Sequence, residues 1–250
     1  MTPAKMTLIL PCYNEEQRLP LGPCEEFLRA NPSARLCFVD DGSRDGTRAM
    51  LEAFCARLPG AARVLALPEN RGKAGAVRAG MLDFLADASA GEYVGFWDAD
   101  LATPLEEGPR FVEILETRPG LRCVVGSRKA QPGARIQRNP LRDWVGRAVA
   151  GLIRGCLRLP VRDTQCGAKM FRRAEVAGLF GEPFFSRWVF DVEIFKRLRV
   201  DKHTCASAVC EQPLAEWRDV AGSKLKFYHG VKIMLDLARI AWAYRREPRQ

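Results

Sequence analysis

The chain predicts an α/β fold: a mostly parallel, Rossmann-like sheet flanked by helices, closed by an amphipathic helix at its C-terminal end. Three observations predict it. Short apolar runs alternate with segments of helical spacing through residues 1–126, the pattern of βαβ units. Several of those runs are apolar throughout, as strands covered on both faces are. Most of them end in polar or acidic clusters, where open α/β sheets hold their ligands.

The elements follow in order. Met6–Leu10 is an apolar strand ending at Pro11-Cys12-Tyr13-Asn14-Glu15, with a helix over Leu21–Ala30. Leu36–Val39 is a second strand, ending at Asp40-Asp41-Gly42-Ser43. The helix Thr47–Leu58 carries Met50, Leu51, Phe54, Cys55 and Leu58 at helical spacing. Val64–Leu67 is a third strand, and Gly72 and Lys73 open a helix through Leu85. Tyr93–Trp97 is a fourth, doubly buried strand that stops at Asp98 and Asp100, with a helix over Glu106–Glu116. Cys123–Val125 is a fifth strand, running into Gly126-Ser127-Arg128. Right-handed crossovers then bring residues 11–15, 40–43, 98–100 and 126–128 to one edge of the sheet.

The second half reads differently. Residues 127–140 form a Gly/Pro/Arg-rich loop, and Leu141–Leu159 is a strongly amphipathic helix carrying Arg142, Arg147, Arg154 and Arg158. Asp163–Phe171 reads as a polar loop, Phe190–Leu198 as a helix, 206–217 as one or two strands, and Phe227–Tyr244 as a second amphipathic helix. No linker marks off an independent unit. The expectation is one domain: 1–126 the nucleotide-binding half, 127–226 a second half completing the site, and 227–250 the C-terminal helix.

Composition bounds the function. The 250 residues are 47% hydrophobic and 28% charged, which excludes a disordered chain. A net charge of +9 favours an anionic partner, be it a phosphorylated substrate, an acidic membrane or nucleic acid. A soluble basic surface is the plainer alternative. Aromatic residues are not interleaved with the basic ones as in a stacking platform, so nucleic acid is not expected. Nine Cys without a C-x-x-C read as reduced thiols of a cytoplasmic protein. Two His leave little room for His-based chemistry. No apolar stretch reaches the ~18 residues of a membrane span, so membrane contact, if present, is peripheral, at the inner face.

Three constellations carry chemistry. Asp98 and Asp100, one residue apart, point the same way if the chain stays extended. Their hard oxygens suit Mg²⁺ or Mn²⁺ and, through it, phosphates; a solvated turn or helix cap is the competing reading. Asp40-Asp41-Gly42-Ser43 with Asp45 and Thr47 closes a strand and opens a helix. One of these acids serves as a cap, and another can accept from a base N–H or a ribose hydroxyl. Asn70-Arg71-Gly72-Lys73 precedes a helix N-terminus and suits an anion, or is simply a glycine-rich turn. The chain has neither a P-loop nor G-x-G-x-x-G.

P-x-Y-N-E, D-D-G-S, N-x-G-K and D-A-D follow in that order at successive strand ends. Together they resemble the inverting family 2 glycosyltransferases of the GT-A fold. Gly126-Ser127-Arg128, Arg138, Arg142, the run Asp163–Phe171, Arg187–Glu193, Trp217 and Gly222-Ser223-Lys224-Leu225 are similar to the dolichyl-phosphate glucosyltransferase branch, and more loosely to polyprenyl-phosphate mannose synthases. Ala74 and Ala168 depart from that pattern and are expected to be tolerated. Eukaryotic members carry an N-terminal anchor that this sequence does not show.

The resemblance implies a donor nucleotide sugar, UDP-glucose in the first instance and GDP-mannose as the alternative. It implies a polyprenyl phosphate acceptor and Mg²⁺ or Mn²⁺ on Asp98 and Asp100. Pro11, Tyr13 and Glu15 line the base and ribose pocket, with Asp40 and Asp41 on the base. Arg128, Arg138 and Arg142 match positions that grip the acceptor phosphate. Gln165, Lys169 and Asp191 lie near the site, and Ser223 and Lys224 approach the donor diphosphate, as does Lys73 from its helix N-terminus. A phosphate acceptor arrives ionised and needs orientation, which arginine supplies bidentately. A saccharide or other hydroxyl acceptor instead needs a general base, for which Asp191 is the candidate, or Glu193.

Overall fold

A computed structural model describes residues 5–128, 135–137, 161, 163–198, 205–218 and 229–244. A seven-stranded sheet has the order β3-β2-β1-β4-β7-β5-β8. Its strands are β1 (Met6–Cys12), β2 (Ala34–Asp40), β3 (Ala62–Ala66), β4 (Tyr93–Phe96), β5 (Cys123–Ser127), β7 (Lys169–Arg172) and β8 (Val209–Pro213). All pairings are parallel except the two that β7 makes, with β4 and β5. A separate ribbon pairs β6 (Arg135–Gln137) with β9 (Glu216–Arg218).

Helices cover both faces, because successive side chains along each strand enter opposite cores. Ile9, Cys37, Val39, Val94, Phe96 and Phe171 pack against α3 (Gly72–Ala86), α5 (Arg173–Phe180), α6 (Phe190–Arg197) and α8 (His229–Ala243). Leu8, Leu10, Leu36, Phe38, Val124 and Met170 pack against α1 (Leu21–Ala30), α2 (Thr47–Ala56) and α4 (Glu107–Thr117). Among the described residues no helix is long and apolar enough to cross a membrane.

The expected elements of the first half all form, with ends that coincide or shift by one or two residues. Two expectations need correction. The Asp163–Phe171 segment is not a loop throughout, since Lys169–Arg172 is a central antiparallel strand. It is four residues long with a charge at each end, so no apolar run announces it. The expected loop 127–140 contains β6. Helix α5 and the single turn α7 (Cys205–Ala208) were not expected. The amphipathic segment 141–159 lies outside the described residues.

The described cysteines are free thiols. Burial pushes Cys24 and Cys37 up to about 12, keeping both protonated near neutral pH. The thiolate is the reactive form, so iodoacetamide should modify Cys24 and Cys37 only upon unfolding. Mass spectrometry of native and denatured samples checks this; rapid native labelling of either would contradict it.

Candidate active site

Going from β1 to β3 the chain moves outward in one direction, then returns to lay β4 on the other side of β1. That reversal opens a crevice at the carboxyl ends of β1 and β4, the favoured ligand site of open α/β sheets. Pro11 and Cys12 close β1 and Asp98 follows β4, so the four expected strand-end segments meet along this edge.

The loops after β1, β2 and β3 are knitted together by backbone donors. Glu15 N–H donates to Thr47 Oγ1 at 2.7 Å, Asn14 N–H to Ser43 Oγ at 3.0 Å, and Arg44 N–H to Asn14 Oδ1 at 2.9 Å. Asp45 accepts from the Thr47 amide and hydroxyl, as a helix-opening acid does. Gly42 has φ +66°, and a Cβ there would lie 2.7 Å from the Glu69 carbonyl carbon. Only glycine lets the β2 loop back onto the β3 loop at this distance.

Asp41 uses both oxygens at the start of α3, accepting from Arg71 N–H at 2.7 Å and Gly72 N–H at 2.8 Å. Burial raises its carboxyl above the usual range. Asp40 is buried and accepts from Ser43 N–H at 3.2 Å. Both acids therefore shape the pocket wall themselves. Arg187 clamps the other side of the same turn, donating to Asn70 O, Asn70 Oδ1 and Arg71 O at 2.7–3.1 Å.

This clamp aims Lys73, in the first turn of α3, at the crevice. Its ammonium pairs with Asp98. Burial works against the Lys73 charge, but Asp98, Asp191 and Asp100 outweigh it and raise its pKa. Asp100 is raised by burial and then by the charge of Asp98. The two acids thus repel one another across a small gap, and an added cation relieves that repulsion. Among the described residues there is no cluster of three or more His, Cys, Asp or Glu that could hold a metal. Two carboxylates fit Mg²⁺ or Mn²⁺ nonetheless, because such ions take one or two protein carboxylates and fill the rest with water and phosphate.

Arg18 is a site residue that the sequence reading missed. It lies between Glu15 and Asp100, with N···O distances of 3.6 and 3.8 Å. It bridges the ends of β1 and β4, and no local pattern marks it.

The Asp163–Gly167 turn enters from the other side. Arg128 gives its Nε and Nη2 edge to Asp163 at 2.9 and 2.7 Å and lies 5.6 Å from the Trp217 ring centre. Its guanidinium is therefore held in place by a carboxylate, which raises its pKa further. Gln165 has a buried Nε2 with no hydrogen-bond partner among the described residues. Gly167 accepts from Asp98 N–H at 3.1 Å, and a Cβ on it would fall 2.0 Å from Asp98 Oδ2. Gly167→Ala must therefore displace the Asp98 carboxylate. We expect transfer to fall about 100-fold with about 1–3 kcal/mol lost in stability, measured by initial rates and urea denaturation.

Lys169 is fully buried, donates to Cys166 O at 2.7 Å and pairs with Asp191 at the start of α6. Glu193 is equally buried but faces elsewhere, accepting from Phe185 N–H, Arg197 and the Tyr244 hydroxyl. It is structural, which corrects its candidacy as a base. Tyr13 is half-buried at the end of β1. Arg138, Arg142, Ser223 and Lys224 lie outside the described residues.

Fold and crevice together define the GT-A class of glycosyltransferase. The family model for glycosyl transferase family 2 matches residues 7–179, and the chain belongs to that family. A dolichyl-phosphate beta-glucosyltransferase of Trichomonas vaginalis is 33% identical over 96% of this chain and 71% of its own length. The human dolichyl-phosphate beta-glucosyltransferase is 31% identical over 96% of this chain and 76% of its own. Among solved structures, glucosyl-3-phosphoglycerate synthase of Mycobacterium tuberculosis in complex with UDP has a TM-score of 0.64. Its identity is 20%, over 96% of this chain and 80% of that one. The same enzyme with Mn²⁺, UDP and glucosyl-3-phosphoglycerate gives 0.64 at 18% identity, over 99% and 82%.

Proposed function

We propose that this glycosyltransferase moves a hexose, glucose in the first instance, from a UDP-sugar to a polyprenyl or dolichyl phosphate at the cytoplasmic face of a membrane. The whole chain acts as a single domain: residues 1–126 bind the donor, and 127–226 complete the acceptor side. The names of the relatives support the acceptor class. The observation that carries the reading is the pairing of Asp191 with buried Lys169. The carboxylate best placed for a general base already neutralises an ammonium. That suits an acceptor that arrives ionised better than a hydroxyl needing deprotonation.

In this mechanism Pro11, Tyr13 and Glu15, with Asp40 and Asp41 in the wall, hold the base and ribose. Asp98 and Asp100 hold Mg²⁺ or Mn²⁺, which when bound offsets charge on the leaving diphosphate. Lys73 leaves Asp98 for the diphosphate, and Ser223 and Lys224 approach the same group. Arg128, oriented by Asp163, binds the acceptor phosphate together with Arg138 and Arg142. Gln165 lies near the sugar, and Lys169, buried and paired, acts through Asp191. An acceptor phosphate oxygen attacks the anomeric carbon from the face opposite the leaving group. The new C–O bond forms as the bond to the donor diphosphate breaks, and its electron pair leaves with the nucleotide, inverting the anomeric centre.

The test incubates the enzyme with labelled nucleotide sugars, Mg²⁺ or Mn²⁺, and a polyprenyl phosphate. Label from UDP-glucose should move into the organic phase. Asp191→Asn should retain transfer to within about tenfold, whereas loss of a true general base costs about 10²–10⁴-fold. Transfer only to saccharide hydroxyls, abolished in that variant, would overturn the phosphate acceptor.

A further inference from the structure

Among the described residues the exposed large hydrophobic side chains are Phe185 (55%), Met234 (46%), Leu235 (58%) and Trp242 (65%). Three of the four lie on α8. Leu235, exposed Ala238 and Trp242 stand at i, i+3, i+7 and form one stripe, with Met234 beside Ala238. The opposite stripe packs inward: Leu237 and Ile240 enter the core, and buried Asp236 accepts from Ser186 Oγ at 2.8 Å. The helix therefore has two apolar faces, and its protein core uses one. Phe185 stands apart from that stripe, its ring meeting Tyr244 edge-on at 6.4 Å, and Tyr244 packs on the core side with Leu237 and Ile240.

Resting on the lipid-acceptor reading above, we infer that the outward face of α8 is the surface by which the enzyme lies on an anionic lipid bilayer. Charge favours that occupant. Asp236, the single acid in the helix sequence, is turned inward, while Arg239 is 70% exposed on its side chain. The sequence adds Lys232 within the helix and Arg245-Arg246 just after it. Arg239 beside an apolar stripe with an exposed Trp suits the boundary between headgroups and acyl chains. A second copy fits poorly, since a stable protein interface takes about 20–30 residues a side and this stripe offers three large apolar ones, Met234, Leu235 and Trp242. The helix is also coupled to the crevice. Ser186 holds Asp236, and its neighbour Arg187 clamps the turn that aims Lys73.

The test is flotation of the purified full chain with phosphatidylcholine vesicles, with and without phosphatidylglycerol, all free of polyprenyl phosphate. The wild type should float with the anionic vesicles. The double variant Leu235→Ser, Trp242→Ser should float at least about tenfold less, while still transferring sugar to a short, water-soluble polyprenyl phosphate at the wild-type rate. Both changes are at exposed positions, so its melting temperature should hold. Arg239→Glu is the second variant, and it should weaken flotation on the anionic vesicles alone. A wild type that does not float overturns the proposal. So does a double variant that floats like wild type, or a wild-type dimer that the double change dissolves. Unchanged flotation of Arg239→Glu overturns the choice of an anionic surface. Flotation as expected, with no transfer to any polyprenyl phosphate, supports the surface and removes the acceptor assignment instead.

Discussion

Replacing Asp100 or Asp98 with asparagine is expected to lower sugar transfer by roughly 10²–10³-fold, the usual cost of losing one group that stabilises developing charge. The fold should survive. Burial and the neighbouring Asp98 both disfavour a charged Asp100, so neutralising it leaves the melting temperature unchanged or slightly higher. Asp98→Asn also frees Lys73 from its partner and should weaken donor binding more than Asp100→Asn does. A readout independent of turnover is thermal stabilisation by UDP with Mn²⁺, which at a hundredfold excess over Kd amounts to about 2.7 kcal/mol. That increment should vanish in both variants. Either variant retaining both turnover and the Mn²⁺-dependent increment would remove these acids from the reaction.

The second large effect concerns stability. Lys169→Met leaves Asp191 charged and buried without its ammonium, and breaking a buried pair from one side costs about 3–5 kcal/mol. Lys169 also lies 5.2 Å from the Phe96 ring centre, at the middle of the sheet. The double change Lys169→Met, Asp191→Leu replaces both charges with apolar groups and should recover most of the loss. Urea denaturation of Lys169→Met, Asp191→Leu and the double variant against wild type measures the coupling. If the double variant is no more stable than Lys169→Met, the pair is not what holds β7 to α6.

The parts of the site legible in the sequence are those encoded locally. An apolar run that stops at Asp98, or at Asp40-Asp41, identifies a strand and its carboxyl end together, since strands buried on both faces are predominantly apolar. Chain connectivity then places those ends on one edge, because parallel strands joined by helices start and finish in common. Gly42 and Gly72 likewise sit in turns that their sequence context suggests, and both adopt positive φ.

The parts that escaped are those that depend on a distant partner. Lys169–Arg172 is a strand only because β4 and β5 leave a place between them, and a lysine can lie there only because Asp191 meets it from α6. Arg128 reads in sequence as a phosphate-gripping position, yet only the fold shows that Asp163, 35 residues on, takes one edge of its guanidinium. Arg18 matters because folding carries Glu15 and Asp100 to either side of it. From the sequence alone came the order of the strands' polar ends, their chemistry and the family pattern. The tertiary structure decided which charges face each other, because an ion pair is set by distance in space and leaves no periodicity along the chain.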